Sequence, residues 1–354
     1  MATKRSATAL VASSEEGEDK RARTDGALVA ADAPGALVTS GPARTSELLA
    51  PIMLLTGHGG PVFTAKFSPD GNTVLSAGQD RLLLLWNVFG ECENTMNYKG
   101  HTNAVLEVTW AADGEHAFSA SADQTGALWD IVTGGRVRVF KGHSGVVNAI
   151  SNARDTTTCA TASDDRSARI WDARVRRCQQ VLPHPWPVTA VATSADGMSV
   201  YTGCLDGHIR TYDLRRPETV QYELAAHTDL ITGLRLNDDS THLLSNGMDN
   251  MVRSWDVKPY ASGDRSVSNY LGAMHNFEKT LIKCAWAKGG TQVGCGSADS
   301  LVYVWDAASS RIKYKLPGHA GAVNEVAFHP TQPILCSCGN DKQIYLGEVK
   351  AHTN

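Results

Sequence analysis

The chain contains little that would indicate a secreted, membrane-spanning or metal-binding protein. Its eight cysteines include no C-x-x-C pair, and only Cys336 and Cys338 are close together, so neither a zinc site nor a disulfide framework is indicated. No stretch approaches the roughly 18 apolar residues that a membrane-spanning helix needs. The polar N-terminus has no apolar segment that could serve as a secretory signal. We therefore expect a soluble protein inside the cell, with reduced thiols and no membrane partner.

Enzyme signatures are missing as well. The chain has no G-x-S-x-G, G-x-x-x-x-G-K-[ST] or H-E-x-x-H motif, which are patterns that place catalytic or phosphate-binding groups. Charged residues make up 20% of the chain and the formal net charge is -4, so no general affinity for nucleic acid is indicated. The absence of these motifs predicts a protein without catalytic residues, cofactor, metal ion or small-molecule substrate.

An internal repeat dominates the sequence. Trp or Tyr followed by Asp or Asn recurs six times at intervals of 41 to 50 residues, beginning at Trp86-Asn87. A His lies 28 residues before each of the first five aromatics and 30 before the sixth, and an Asp lies six residues before every one. A Ser or Thr lies four residues before the Asp, except that Cys295 replaces it in the sixth unit. A seventh unit begins at His319 and has Gly347-Glu348 in the Trp-Asp position.

This pattern identifies the chain as a member of the WD-repeat family from about residue 51 to residue 349. Short apolar runs such as 74–78 and 82–86 are separated by turn residues, which predicts strands. One four-stranded blade cannot bury both of its faces, whereas a ring of seven blades can. The expected fold is therefore all-β, a seven-bladed WD-repeat β-propeller with a disordered N-terminal tail.

The side chains that recur in each repeat could form either a structural network or a metal or catalytic site. In blades of this family, the His, Ser or Thr, Asp and Trp resemble a hydrogen-bonded chain. The resemblance assigns this structural role to His58, Asp80, Trp86, His101, Asp123, Trp129, His143, Asp165, Trp171, His227, Asp249 and Trp255. A metal or catalytic site would need several such side chains to converge, but each blade has only one His-Asp pair. We therefore predict networks that stiffen the blades.

The ends of the repeat region set the predicted domain boundaries. The seventh unit ends at Val349, too early for a fourth strand, whereas residues 52–55 resemble an outer strand ahead of the first unit. We predict that this strand completes the seventh blade of a propeller over 51–349 and removes an exposed sheet edge. Residues 1–45 are polar and nearly free of aromatics, which predicts a disordered basic and polar tail. Residues 350–354 form a short C-terminal tail.

Two segments carry further signals. The N-terminal tail has basic clusters at Lys4-Arg5 and at 20–23, which resemble a bipartite nuclear-import signal. A solubilising charged tail has the same composition. Residues Lys258–Ala273 hold the extra length of the 50-residue interval and are interpreted as a long loop between the fifth and sixth blades.

One rim of the propeller is the predicted partner-binding surface. In this family, the loops that enter the first strands and the turns between second and third strands share a rim, here called the top rim. Its predicted partner-binding residues are Trp186, Phe277, Lys279, Arg81 and Arg166. Trp186 lies between Pro185 and Pro187 and is either a rigid anchor or a lid over the channel or a neighbouring blade. Trp110 and Trp286, at the ends of first strands, are interpreted as core.

The sequence between the repeat positions is more specific. Segments 82–90, 275–279, 297–306 and 314–330 resemble WD-repeat subunits of the U5 small nuclear ribonucleoprotein, and the resemblance extends over the whole propeller. It implies a non-catalytic scaffold in the nucleus that acts in pre-mRNA splicing. It also implies binding to the large spliceosomal scaffold protein and other U5 proteins, with RNA contact indirect or minor.

One alternative function remains open at this stage. The sequence I-W-D-A-R, from Ile170 to Arg174, resembles the box by which some WD-repeat proteins dock on the adaptor of a cullin ubiquitin ligase. Trp171-Arg174 would then belong to a substrate receptor. Solvated arginines in a turn between strands give the same motif.

Overall fold

Seven antiparallel sheets of four strands each make up the part of the chain that the computed structural model describes, namely residues 46–154, 157–261, 263–276 and 280–349. The first blade contains β2 (Val62–Phe67), β3 (Thr73–Gly78), β4 (Leu82–Asn87) and β5 (Asn94–Lys99). The second contains β6 (Val105–Trp110), β7 (His116–Ser121), β8 (Thr125–Asp130) and β9 (Arg136–Lys141). The third contains β10 (Val147–Asn152), β11 (Thr158–Ser163), β12 (Ser167–Asp172) and β13 (Gln180–Pro183).

The remaining blades follow the same order. The fourth contains β14 (Val188–Thr193), β15 (Ser199–Cys204), β16 (His208–Asp213) and β17 (Val220–Ala225). The fifth contains β18 (Ile231–Leu236), β19 (His242–Gly247), β20 (Met251–Asp256) and β21 (Ser266–Leu271). The sixth contains β22 (Cys284–Trp286), a 3-10 turn (Lys288–Gly290), β23 (Gln292–Gly296), β24 (Val302–Asp306) and β25 (Ile312–Leu316). The seventh contains β26 (Val323–Phe328), β27 (Ile334–Gly339), β28 (Gln343–Glu348) and β1 (Ile52–Thr56).

The hydrophobic core lies between neighbouring blades. Leu75 and Leu83 of the first blade share one cluster of buried side chains with Val108 and Trp129 of the second. Because each blade is covered on both faces in this way, its inner and middle strands are almost fully buried. The predicted seven-bladed propeller is confirmed.

The first strand of the chain belongs to the last blade. β1 pairs antiparallel with β28, with Leu54 opposite Tyr345. Leu55 is buried in the cluster that joins the seventh and first blades. Across the same junction, Asn324 Nδ2 donates to the Val62 carbonyl at 2.7 Å. The ring is therefore closed by a strand pair, by apolar packing and by hydrogen bonds.

The extra length near the fifth blade is organised differently from the expectation. The prediction of one loop over Lys258–Ala273 is wrong, because β21 (Ser266–Leu271) lies inside it. Tyr270 of this strand is buried against Trp305, with ring centroids 5.9 Å apart. The strand supplies the fourth, outer position of the fifth blade, so the insertion is split into two shorter loops.

Several further expectations concern the chain as a whole. The eight cysteines are free, and all except the half-buried Cys178 are buried. Among the described residues, no helix is long and apolar enough to cross a membrane. The predicted tails, residues 1–45 and 350–354, lie outside the described residues.

Candidate protein-binding surfaces

The polar side chains of the first repeat meet in one hydrogen-bonded chain. Asp80 Oδ2 and Ser76 Oγ each lie 2.7 Å from a ring nitrogen of His58, namely Nδ1 and Nε2. Since the carboxylate can only accept, Nδ1 carries the proton and Nε2 accepts the Ser76 hydroxyl proton. Trp86 Nε1 donates to the same Ser76 oxygen at 2.8 Å. Every polar atom of this buried chain is therefore satisfied.

The same chain recurs in three further blades. Its members there are His101, Asp123, Ser119 and Trp129; His143, Asp165, Thr161 and Trp171; and His227, Asp249, Ser245 and Trp255. In each of these four blades, the structure thus joins the His, Asp and Trp to which the resemblance assigned this role. The hydroxyl residue is fully buried in each.

The aspartates also connect the two parts of the top rim. Asp80 Oδ2 accepts the backbone N–H of Gly59 at 3.1 Å, which ties the loop entering the blade to the turn between β3 and β4. Burial alone would raise the pKa of the Asp80 carboxyl, but the hydrogen bond and positive partial charge of His58 outweigh it and lower that pKa. The pKa values of Asp123, Asp165 and Asp249 are also lowered, by the Ser167 hydroxyl and then His143 at Asp165, by His101 and the Thr125 hydroxyl at Asp123, and by His227 at Asp249. These carboxylates stay ionised and rigidly held at neutral pH.

The fourth blade departs from the pattern. Tyr212 replaces the Trp, and His184 bonds Thr202 Oγ1 and the Leu182 carbonyl, both at 2.9 Å. Asp206 instead pairs with Arg210 at 2.7 Å. Without a carboxylate partner, burial lowers the pKa of His184 to about 4. His184 is therefore neutral at physiological pH.

The sixth blade departs further. Cys295 stands in the place of the hydroxyl residue, and Trp305 Nε1 donates to the Leu271 carbonyl at 3.0 Å. The Asp299 carboxylate accepts from the Tyr303 hydroxyl at 2.7 Å. Burial lowers the pKa of His275 to about 4. This blade holds its Trp by a hydrogen bond to the main chain in place of the side-chain network.

Trp186 is the most exposed tryptophan of the top rim. Half of its surface (50%) is accessible to solvent. Two residues before it, the His184 N–H donates to the Arg166 carbonyl at 2.8 Å. Trp186 thus lies in a loop that is bonded directly to the turn bearing Arg166, and the Arg166 side chain is exposed.

The turns of this rim hold three cations in an unfavourable backbone conformation. Arg81, Arg166 and Lys342 have φ values of 68°, 63° and 67°. Gly207 occupies the equivalent position of the fourth blade with φ of 77°. The left-handed conformation costs a non-glycine residue about 1–2 kcal/mol. Gln124, Asn250 and Ser300 adopt it at the same position of the other blades, so it belongs to the repeated turn and does not itself mark a binding residue. Phe277 and Lys279, the other two predicted contact residues, lie outside the described residues.

The arginine of the ligase-type box is already paired. Arg174 Nη2 lies 2.6 Å from Asp172 Oδ2, and its backbone N–H also bonds that carboxylate. Its side chain remains 72% exposed. Arg215 makes the same contact with Asp213 at the equivalent turn of the next blade. Both are surface turn arginines that stabilise their own turns.

The central channel contains buried charges that the sequence analysis missed. Lys66 Nζ lies 2.9 Å from Glu107 and 3.6 Å from Glu325, and Lys283 Nζ lies 3.2 Å from Glu107. Burial would raise the pKa of Glu107, but Lys283 and Lys66 outweigh it and lower the pKa to about 2. The sequence did contain a sign of these charges, because inner strands such as VLEVTW and VNEVAF each hold one glutamate among mainly apolar residues. Within the described residues, no group of three or more His, Cys, Asp and Glu could hold a metal ion.

The repeat architecture matches a known family. The family described as "WD domain, G-beta repeat" matches six segments of the chain, residues 49–87, 90–130, 134–172, 176–213, 218–256 and 310–346. These segments cover more than half of the chain. The unmatched stretch between 257 and 309 contains the three inner strands of the sixth blade, β22, β23 and β24, whereas its outer strand β25 lies in the last matched segment.

Relatives with assigned names cover the whole propeller. The "U5 small nuclear ribonucleoprotein 40 kDa protein" of Bos taurus is 48% identical over 319 residues, which are 90% of this chain and 89% of the relative. The protein of the same name from Dictyostelium discoideum is 41% identical over 89% of both chains. The "Pre-mRNA-splicing factor cwf17" of Schizosaccharomyces pombe is 39% identical over 88% of this chain and 92% of the relative. The chain therefore belongs to the WD-repeat family and is a relative of the U5 small nuclear ribonucleoprotein 40 kDa proteins.

Proposed function

We propose that this protein is a scaffold subunit of the U5 small nuclear ribonucleoprotein and acts in pre-mRNA splicing in the nucleus. The supporting observation is the 48% identity over about nine-tenths of both chains to a protein named as a subunit of that particle. A fission yeast relative of similar coverage is named as a pre-mRNA-splicing factor. The ligase function is not proposed, because relatives that cover the whole propeller are named for splicing and Arg174 stabilises its own turn.

The scaffold is non-catalytic under this proposal. The Asp80–His58–Ser76 chain has the connectivity of a hydrolase triad. However, Ser76 is fully buried and its oxygen accepts the Trp86 indole proton, so no substrate could reach it. In the channel, Glu107 is held ionised by two lysines and is not poised to exchange a proton near neutral pH.

The partners under this proposal are proteins. The large spliceosomal scaffold protein is the main one, other U5 proteins are neighbours, and RNA contact is indirect or minor. The net charge of -4 is consistent with proteins as the main partners and RNA as a minor one.

The proposed contact surface is the top rim. Trp186, with its indole half exposed between two prolines, is the main anchor and loses little side-chain freedom on binding. Arg166 is held beside it, and Arg81 projects from the equivalent turn two blades away. Phe277 and Lys279 belong to the same proposal through the loop that enters the sixth blade. Aromatic and cationic side chains are the types enriched at interface centres.

The experiment is affinity purification of the tagged full-length chain from nuclear extract, with U5 RNA and copurifying proteins as the readout. Recovery of U5 RNA and of a large splicing protein supports the proposed function. Recovery of a cullin-ligase adaptor without U5 RNA would overturn it.

The same assay tests the surface. Trp186→Ala and Phe277→Ala should each weaken the complex by about 1–3 kcal/mol, with little change in the melting temperature. Tyr260→Ala is the matched control, because Tyr260 is an almost fully exposed aromatic on a loop of the opposite rim. If both top-rim variants bind like the parent while Arg174→Ala loses binding, the assignment of this rim is wrong.

A further inference from the structure

The channel opens on the rim opposite the top rim through an aromatic-walled mouth, here called the bottom mouth. Its walls come from the ends of inner strands and include Trp110, Trp286 and Phe328. Two adjoining cavities of about 380 and 280 Å³ make up the space. Trp110 Nε1 donates to the Lys66 carbonyl and Trp286 Nε1 to the Arg235 carbonyl. Both indole N–H groups are thus satisfied, and the rings themselves line the mouth.

Arg235 lies where the two cavities meet, and it also lines the channel interior. Its guanidinium has no hydrogen-bond partner and no carboxylate oxygen within 4.0 Å in the part of the chain that the structure describes. This differs from Lys66 and Lys283, which both pair with Glu107. Among the described residues, Arg235 is therefore the cation of the channel that has no paired carboxylate.

The charges of the channel do not balance. The channel interior has three basic side chains, Lys66, Lys283 and Arg235, and two acidic ones, Glu107 and Glu325. At the mouth, Arg154 and Asp238 add one group of each sign. Burial, and next the Arg235 guanidinium, lower the pKa of the Lys66 ammonium. A partly desolvated excess of positive charge of this kind is stabilised by one further anion.

The surroundings of the mouth restrict what that anion can be. Five exposed aspartates lie in the first-to-second strand turns of this rim, and they are Asp70, Asp113, Asp196, Asp238 and Asp239. They repel a polyanion such as RNA more strongly than a single carboxylate, because the repulsion grows with the charge of the ligand and is screened by salt. Flanking basic residues on the same segment would be attracted by the aspartates.

We propose that the bottom mouth binds a glutamate or aspartate side chain of a partner protein segment, with Arg235 as the residue that pairs with the carboxylate. Trp110, Trp286 and Phe328 contact the apolar part of the same segment. This is a second binding surface, separate from the top rim, and it does not depend on the identity of the top-rim partner. The scaffold therefore has two faces that can be occupied together.

The test uses phenylacetate, which combines one carboxylate with one aromatic ring. The full-length protein is titrated at neutral pH while the indole N–H resonances of Trp110 and Trp286 are followed by NMR, each assigned through its Trp→Phe variant. We expect both resonances to shift with a Kd of about 1–10 mM. Phenylacetamide, which has the same shape without the charge, should bind at least about tenfold more weakly.

Arg235 variants locate the binding. Arg235→Leu should abolish the phenylacetate shifts, and Arg235→Lys should retain part of them because it preserves the charge. Arg311→Leu, at an exposed position of a strand turn, is the control and should bind like the parent. Thermal melts show whether each variant is folded; should Arg235→Leu fail to fold, the phenylacetamide comparison and Arg235→Lys still decide.

Three results would overturn the proposal. Equal binding of phenylacetamide would show an apolar cavity without anion recognition. Tighter binding of a short single-stranded RNA than of phenylacetate would show a nucleic-acid surface, and tighter binding of inorganic phosphate would show a phosphate site in place of a carboxylate site. Unchanged binding in Arg235→Leu would remove Arg235 from the site. None of these results bears on the top-rim assay, so the two proposals can fail separately.

Discussion

In each complete blade network, one hydroxyl group forms hydrogen bonds with two other polar groups, the His ring and the Trp indole. In the second blade, Ser119 Oγ lies 2.7 Å from His101 Nε2 and accepts the Trp129 indole N–H at 2.8 Å. Ser119→Ala leaves both nitrogens buried without a partner, and each orphaned group costs about 1–3 kcal/mol. We expect a clearly lower midpoint of urea unfolding. Ser119→Thr is the control, since Thr161 fills the same position in the third blade; equal losses in the two variants would show that the hydroxyl does not matter.

Protonation of His184 makes the stability of the fold depend on pH. Its pKa is lowered by burial from 6.5 to about 4 in the folded state, so the unfolded chain binds a proton at higher pH than the folded one. The stability contributed by neutral His184 is therefore complete above about pH 6.5 and is lost as the pH falls towards 4. Between pH 7.5 and pH 5 the loss from this residue is about 2 kcal/mol.

The measurement for His184 is urea unfolding at both pH values. His184→Gln should be less stable than the parent at pH 7.5, but it should lose less on acidification. The comparison variant is Asp239→Asn, which removes an exposed turn carboxylate and leaves His184 unchanged. A His184→Gln variant with the same pH dependence as the parent would contradict the assignment.

At the scale of elements, β1 is the strand that closes the ring. β1 covers the edge of β28 and places Leu55 in the core that joins the seventh and first blades. We expect deletion of residues 51–56 to lower the melting temperature by about 5 °C or more, since it removes buried apolar surface and a complete row of strand hydrogen bonds. Deletion of residues 1–45 should change it little. Equal melting temperatures for the two truncations would show that the strand is not needed for closure.

The strands were predictable from the sequence to different degrees. The turn aspartates and the Trp-Asp positions mark strand ends because the network needs these side chains at fixed places, as at Asp80 and Trp86. β21 was missed, because its apolar residues are few and it follows a long polar insertion. Its burial depends on Tyr270 reaching the neighbouring blade, a tertiary contact that the local pattern does not contain.

At the scale of the whole molecule, the ring creates sites that no repeat contains. Lys66, Glu107 and Glu325 belong to three different repeats, and only ring closure places them in one channel. The repeat pattern predicts one equivalent position per blade but not which blades carry charges that meet. Among the proposed top-rim residues, Trp186 could be singled out from the sequence, since the equivalent positions of other repeats hold small or polar residues such as Gly60 and Asn103. Function at this scale therefore had to come from the structure and the relatives together.

The proposed function requires entry into the nucleus, for which two routes can be tested. The basic clusters of the tail could act alone, or the propeller could enter bound to a partner that has its own signal. We expect a fluorescent protein fused to residues 1–45 to accumulate in the nucleus, because Lys4-Arg5 and the cluster at 20–23 have the composition of an import signal.

Replacing Lys20, Arg21 and Arg23 with Ala should stop this accumulation, whereas Lys-to-Arg replacement at position 20 preserves the charge and should not. Full-length chains with the same Ala replacements separate the two routes. If they remain nuclear, and if Trp186→Ala in addition makes them cytoplasmic, entry depends on the top-rim partner. If the Ala-substituted tail fusion still enters the nucleus as well as the parent, the tail clusters are not the signal, and their charge serves only solubility.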